Sequence, residues 1–293
     1  MNKLEEDFFD WRFRTITQEE RNQILNEEIG EIPGISKEIQ TYALLLDREG
    51  EIDVKKIKKE YEQLCREGFV PGEELFLTAV YFAGKPDETV EPLARRLTMM
   101  MGQRQDLIGG GILAASYYGM EELAMRLPML GNGAASLFSE KESLELFTAI
   151  IMLADGSPAE VAKMIPLYLE LLKKGISVQG KKMAAVLGLL SVIAPTPLRV
   201  GRELLDRVGK QGLGTPEEVQ EAFYIEVCHY IRKMEEKERQ KTERTTSRML
   251  TGEKNVTAAD YVEEEGISLN GSNLLTGMGQ EVNYLLSAIC LCG

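Results

Sequence analysis

Histidine is almost missing from this chain: among 293 residues there is one, His229. That removes sites built from several imidazoles, and with them the usual Cys-His zinc centres. With Phe223 and Val227 nearby on the same expected helix, His229 reads as a partly buried structural side chain. Cysteine is scarce as well. Cys65, Cys228, Cys290 and Cys292 are too few and too scattered for a disulfide framework, which points to a reducing compartment. Positive charge is in short supply, with 34 Lys and Arg against 47 Asp and Glu and a net charge of -13. Binding to a phosphate backbone draws its affinity from clustered Lys and Arg, so no nucleic-acid partner is expected. Long apolar runs are lacking: the longest, Met183 to Ala194, falls short of the roughly 20 residues that span a bilayer, so no membrane partner is expected either. The opening MNKLEEDFFDWRFR carries acids where a secretory signal needs a basic start and an apolar run, and the expected location is cytoplasmic.

The motifs of cofactor chemistry are missing too. Gly109, Gly110 and Gly111 follow two apolar residues, but no Lys-Ser or Lys-Thr follows them as a phosphate-cradling loop requires. Their expected role is to let helices approach closely or to place a kink. Gly277 and Gly279 follow no strand, which removes a dinucleotide fingerprint. The Cys290-Leu-Cys292 end has no companion ligands and ends in Gly293 rather than a prenylation signal, so it reads as a frayed apolar end. Asn255 and Asn270 head glycosylation sequons that lack a secretory context. No catalytic residue, cofactor or metal ligand is assigned.

Helices are abundant. From Val161 to Ser191 the chain reads as two helices broken at Gly175: Val161, Ile165, Tyr168 and Leu172 form one stripe, widened by Met164 and Leu171, and Met183, Val186, Leu187 and Leu190 form the next. A second copy runs from Val54 to Ala83, with Val54, Ile57, Tyr61 and Leu64 as the stripe, Gly68 as the stop, and Leu75, Ala79, Phe82 and Ala83 as the following face. The copies pair Val54 with Val161, Lys56 with Lys163, Tyr61 with Tyr168, Leu64 with Leu171 and Gly68 with Gly175. Glycine reaches the left-handed conformation without a Cβ clash, so it ends helices. Further stops at Gly30, Gly102, Gly131 and Gly212 put successive units about 36 residues apart, the scale of two-helix repeats. Thr17 with Glu20 forms a capping box at the first. The fold class expected is all-α: an array of about six antiparallel helical hairpins, α-solenoid-like, with a C-terminal helical tail. Residues 1–231 form the helical-repeat domain, 232–256 a charged linker centred on Thr-Thr-Ser, and 257–293 a tail that caps the array or folds on a partner.

The pattern Tyr61-Glu-Gln-Leu64 with Gly68-Phe69, then Leu75 and Ala79-Val-Tyr81, resembles the repeating unit of an uncharacterised bacterial helical family, the domain of unknown function 4003 group. Tyr168 to Leu190 is similar to it too. The resemblance covers roughly Val54 to Ile231, implies a helical fold, and carries no site residues.

Two functions remain in view. One is a non-enzymatic helical-repeat protein that presents a surface to an unidentified protein partner. The other is an enzyme or small-molecule binder with a polar pocket between hairpins. What is specific to this chain is expected where the repeat fails, at Met99 to Gly111 and beyond Arg232. Met99, Met100 and Met101 offer adaptable thioethers, although such a run is more often core. Asp106, Tyr117 and Tyr118 are the candidate pocket residues, with Asp106 the least surface-like carboxylate.

Overall fold

The computed structural model describes residues 1–26, 32–102, 104–250 and 279–292, with side chains omitted from 241 to 250. Among the described residues every regular element is a helix, as expected. The chain divides into two compact units: Met1–Tyr118 together with Asn283–Gly293, and Gly119–Val282.

The first unit holds α1 (Lys3–Arg12), α2 (Gln18–Asn26), α3 (Lys37–Arg48), α4 (Val54–Arg66), α5 (Glu73–Ala83), α6 (Asp87–Met101) and α7 (Leu107–Ala114). Here α2 pairs with α3, α4 with α5 and α6 with α7, while α4 also packs on α3 and α6, and α5 on α3 and α7. Three hairpins thus lie side by side, with α5 central to the second layer. Its burial shows this: every side chain from Leu75 to Ala83 is buried, whereas α4 buries only Ile57, Glu60, Tyr61 and Leu64. The second unit holds α8 (Met120–Ala134), α9 (Lys141–Leu153), α10 (Pro158–Lys173), α11 (Lys181–Ile193), α12 (Pro197–Gly209) and α13 (Pro216–Leu250). It repeats the plan, with α8, α10 and α12 as an outer row and α9, α11 and α13 behind them. Ion pairs knit the rows: Glu142 to Lys181 (3.3 Å) between α9 and α11, and Arg202 to Glu170 (3.3 Å) between α12 and α10.

Local rules explain the hairpin boundaries. Asn2 with Glu5 and Ser157 with Glu160 form full capping boxes, and Thr17 with Glu20 and Thr215 with Glu218 exchange the same pair of bonds. Gly68 (φ 97°) and Gly175 (φ 74°) are left-handed, and after each the next amide returns to the helix, Phe69 N–H to Leu64 O (3.2 Å) and Ile176 N–H to Leu171 O (3.1 Å). Both paired copies therefore end in a Schellman motif. A cation on the first helix of three hairpins caps the turn that follows the second helix. Lys56 donates to Lys85 O (2.9 Å), Arg96 to the carbonyls of Ser116 (2.9 Å) and Tyr118, and Arg126 to Gly156 O (3.1 Å).

Several expectations need correction. Gly131 is not a stop, because α8 continues through it to Ala134; Gly102 follows α6 but keeps a right-handed φ of -57°. The stripe of α10 is rotated: Val161, Met164, Leu167 and Leu171 are buried, whereas Ile165 and Leu172 are exposed. The stretch expected to be a charged linker is helical as far as Leu250. Its Lys, Glu, Arg and Gln are strong helix formers, and Glu236 accepts from Arg239 (2.8 Å) and Gln240 (3.1 Å) along one face. The Gly30 stop, the helix opened by Thr257 and Asp260, the Glu263–Glu265 run, Asn255, Asn270 and Gly277 lie outside the described residues.

The tail holds the least expected feature. Helix α14 (Gly279–Leu291) carries Val282, Tyr284, Leu285, Leu286, Ser287, Ala288, Ile289, Cys290 and Leu291, all buried. A helix buried around its whole circumference is core rather than cap. From Asn283 onward it belongs to the first unit. Tyr284 stacks on Tyr81 of α5 (centroids 4.5 Å apart, planes at 10°), and the Lys85 ammonium sits over the other partner of that stack, 4.5 Å from the Tyr81 ring.

Candidate functional site

The candidate residues do not form one site. Asp106 is fully buried and N-caps α7, its carboxylate accepting from Gly109 N–H at 2.6 Å. Tyr117 and Tyr118 follow the other end of α7, which by its rise per residue places them roughly 12 Å from Asp106. Tyr118 is buried and Tyr117 is 79% exposed; their rings lie 4.3 Å apart, with the Tyr117 hydroxyl donating to Tyr118 Oη at 3.0 Å. The methionines split as well. Met99 is exposed, Met100 is buried, and the half-buried Met101 lies against Gly110, where an added Cβ would sit 2.9 Å from its sulfur.

Around Asp106 the glycine run performs the close approach expected of it. A Cβ on Gly111 would lie 3.2 Å from Thr78 Cγ2 and 3.3 Å from Tyr284 Oη. Thr78 donates its hydroxyl hydrogen to Glu74 O (2.8 Å), so in the 3.0 Å contact with Tyr284 the tyrosine is the donor. Burial pushes the Tyr284 hydroxyl well above its ordinary range, the bond to Thr78 opposes this, and the charges of Asp106 and Cys292 add to the rise. Tyr42 is raised by burial in the same way. This polar cluster is closely packed and joined by hydrogen bonds, and its arrangement ties α14 to α5 and α7.

The reactive groups are correspondingly quiet. Cys228, Cys290 and Cys292 are buried, and burial raises the Cys65 thiol, with Glu62 adding to the effect. His229 is exposed on α13 rather than partly buried. Among the described residues no group of three His, Cys, Asp or Glu is placed to hold a metal ion, and no helix is long and apolar enough to cross a membrane.

A different surface stands out. Nine large apolar side chains are exposed among the described residues, and five of them, Met125, Met129, Ile165, Leu169 and Leu172, lie on the neighbouring helices α8 and α10 of the second unit. Leu169 is 49% exposed and Met125 63%. The furrow between these helices can be traced from two contacts. Arg126, midway along α8, reaches Gly156 just before α10, and Gly133 near the end of α8 faces Val161, whose Cγ1 would lie 3.8 Å from an added Cβ. The helices therefore run the same way with α10 displaced forward. Met129 precedes Gly133 by four residues, about 40° around α8, and Ile165 and Leu172 sit about 40° and 20° from Val161 around α10. Both groups thus open on the same side, staggered along the line of the furrow, with Met125 and Met129 ahead of the Gly133–Val161 contact and Ile165, Leu169 and Leu172 beyond it, past the end of α8. Glu121 stands at one end of this strip and the exposed Lys173 and Lys174 at the other.

Sequence reasoning missed this face because it assigned Ile165 and Leu172 to the buried stripe. The signal was present: α10 carries Val161, Met164, Ile165, Leu167, Leu169, Leu171 and Leu172, more apolar positions than one core-facing stripe holds. Comparison of the chain with protein-family models, curated proteins and solved structures finds no match.

Proposed function

We propose that this protein is a non-enzymatic helical-repeat protein that binds another protein chain through the furrow between α8 and α10. The observation that carries the reading is the concentration of five of the nine exposed large apolar side chains on two adjacent helices. Soluble proteins scatter such residues singly, and a contiguous group marks a docking surface. Two of the five are methionines, whose flexible thioethers adapt to a partner's shape. The separation of Asp106 from Tyr117 and Tyr118 by α7, and the buried state of Cys290 and Cys292, support the same reading over a reaction centre. Kinship with the domain of unknown function 4003 group belongs to this proposal and adds no residue to it.

The test is photo-crosslinking from a photoreactive residue placed at position 169, with position 199 on α12 as the control. A covalent adduct with a protein chain from position 169 and none from position 199 is the expected result. Equal labelling from both positions, or none from either, refutes the docking face.

A further inference from the structure

We infer that the chain seated in the α8–α10 furrow is a second copy of this protein, packed about a twofold axis with the two strips antiparallel; the inference rests on the docking reading above. A twofold interface must be self-complementary, since each patch meets itself reversed. The strip has that property. It begins with an acid, Glu121, continues through Met125, Met129, Ile165, Leu169 and Leu172, and ends with two bases, Lys173 and Lys174. Met129, Met125 and Glu121 lie four, eight and twelve residues before the Gly133–Val161 contact, and Ile165, Leu169 and Lys173 four, eight and twelve after it, so an axis beside that contact sets Met129 and Met125 of one copy against Ile165 and Leu169 of the other. The same operation sets Glu121 against Lys173 and Lys174, twice over. The parallel arrangement would instead bring Glu121 to Glu121 and the lysines to lysines.

The charges that matter are available for this. Glu122 is held by Arg126 at 3.1 Å and Glu160 by Lys163 at 3.2 Å, so the other carboxylates near the acidic end already have cations. Glu121, Lys173 and Lys174 are exposed and make no ion pair within 4 Å among those described. The net charge of -13 opposes self-association in general, and this gives the specific pairing of unlike ends a role in selecting the partner's orientation.

Sedimentation of the full chain between 1 and 100 µM tests the inference, with circular dichroism confirming that each variant is folded. The wild type is expected to be dimeric in the upper part of this range. Leu169→Glu, which sets a carboxylate against Met125 of the other copy twice over, weakens the dimer by at least about 100-fold. Lys173→Glu with Lys174→Glu weakens it about 10-fold, and adding Glu121→Lys to that variant restores it. A dimer indifferent to Leu169→Glu overturns the inference, as does a charge exchange that fails to restore. A wild type monomeric to 100 µM also overturns it. In that case the crosslink separates the two ideas: an adduct from position 169 with a different protein leaves the docking face standing without the second copy, and no adduct removes both.

Discussion

Ile289→Ala should open the first unit and leave the second as it is. Ile289 lies on α14, 1% exposed, between Ser287 and Leu291, which are also buried. Truncating a buried isoleucine costs about 2–5 kcal/mol, through lost transfer energy and the cavity left behind. Taking about 3 kcal/mol, the opening equilibrium of the first unit rises roughly 150-fold at 1.36 kcal/mol per decade. Amide hydrogen exchange resolves this by segment. The amides of α5, whose Thr78 and Tyr81 meet Tyr284 directly, should exchange roughly 100-fold faster, whereas those of α11, packed on α9 and α13, serve as the internal reference. Unchanged protection of α5 in the folded variant would refute the placement of α14 in the core of the first unit. Equal acceleration of α5 and α11 would refute the division into two units instead.

Other changes test single contacts. Tyr284→Phe removes the hydroxyl that donates to Thr78 while Thr78 keeps its bond to Glu74 O, so a loss of about 1 kcal/mol is expected in urea unfolding. Gly201→Ala drives a Cβ into Leu167 Cδ1, on a side chain that is itself fully buried, and should lower stability by about 1–3 kcal/mol. Ser157→Ala should cost about 1 kcal/mol at pH 7. Burial pushes the Glu160 carboxyl up, but its bonds to the Ser157 hydroxyl and amide and to Lys163 outweigh that and hold it at about 2 against an ordinary 4.5. A depressed carboxyl stabilises above its unfolded value and loses that contribution as pH falls, so the difference between wild type and Ser157→Ala should shrink between pH 4.5 and 2 in the same assay. Tyr42 and Tyr284 have the opposite sign. Both are raised by burial, so their protonated state is favourable below the ordinary value of 10.0 and is lost above it, and alkaline unfolding should coincide with tyrosinate absorbance.

Much of the architecture was legible because local chemistry sets it. Gly68 and Gly175 need positive φ, Thr17 and Glu20 need each other, and the pairs α4–α5 and α10–α11 follow from where those signals fall. The errors came where local and tertiary effects compete. Gly131 has the composition of a stop but continues as helix, and Gly133 shortly after it lies against Val161. On α10 the 3.6-residue period was plain, yet with apolar residues around most of the circumference the period did not say which side faces inward. The candidate site was illegible for a different reason. Asp106 and Tyr117 are close in sequence but held apart by a rigid helix, and the partners of Asp106 include Tyr284, far along the chain. Only the fold brings those together, and only the fold leaves Met129 and Ile165 uncovered beside one furrow.

The membership of Asn283–Cys292 in the first unit also fixes an order of events during synthesis. Met1–Tyr118 leaves the ribosome first, with the face of α5 and α7 that meets Tyr284 still bare. The whole of Gly119–Val282 must then be translated before that face can be filled, which at 5–20 residues per second takes roughly 8–30 seconds. During that interval the nascent N-terminal unit lacks the ring that stacks on Tyr81 and the hydroxyl that bonds Thr78. It is therefore a natural client for chaperones that hold emerging chains. A chain released before α14 is made would keep the bare face, so translation that stops early yields a product recognisable to quality-control proteases.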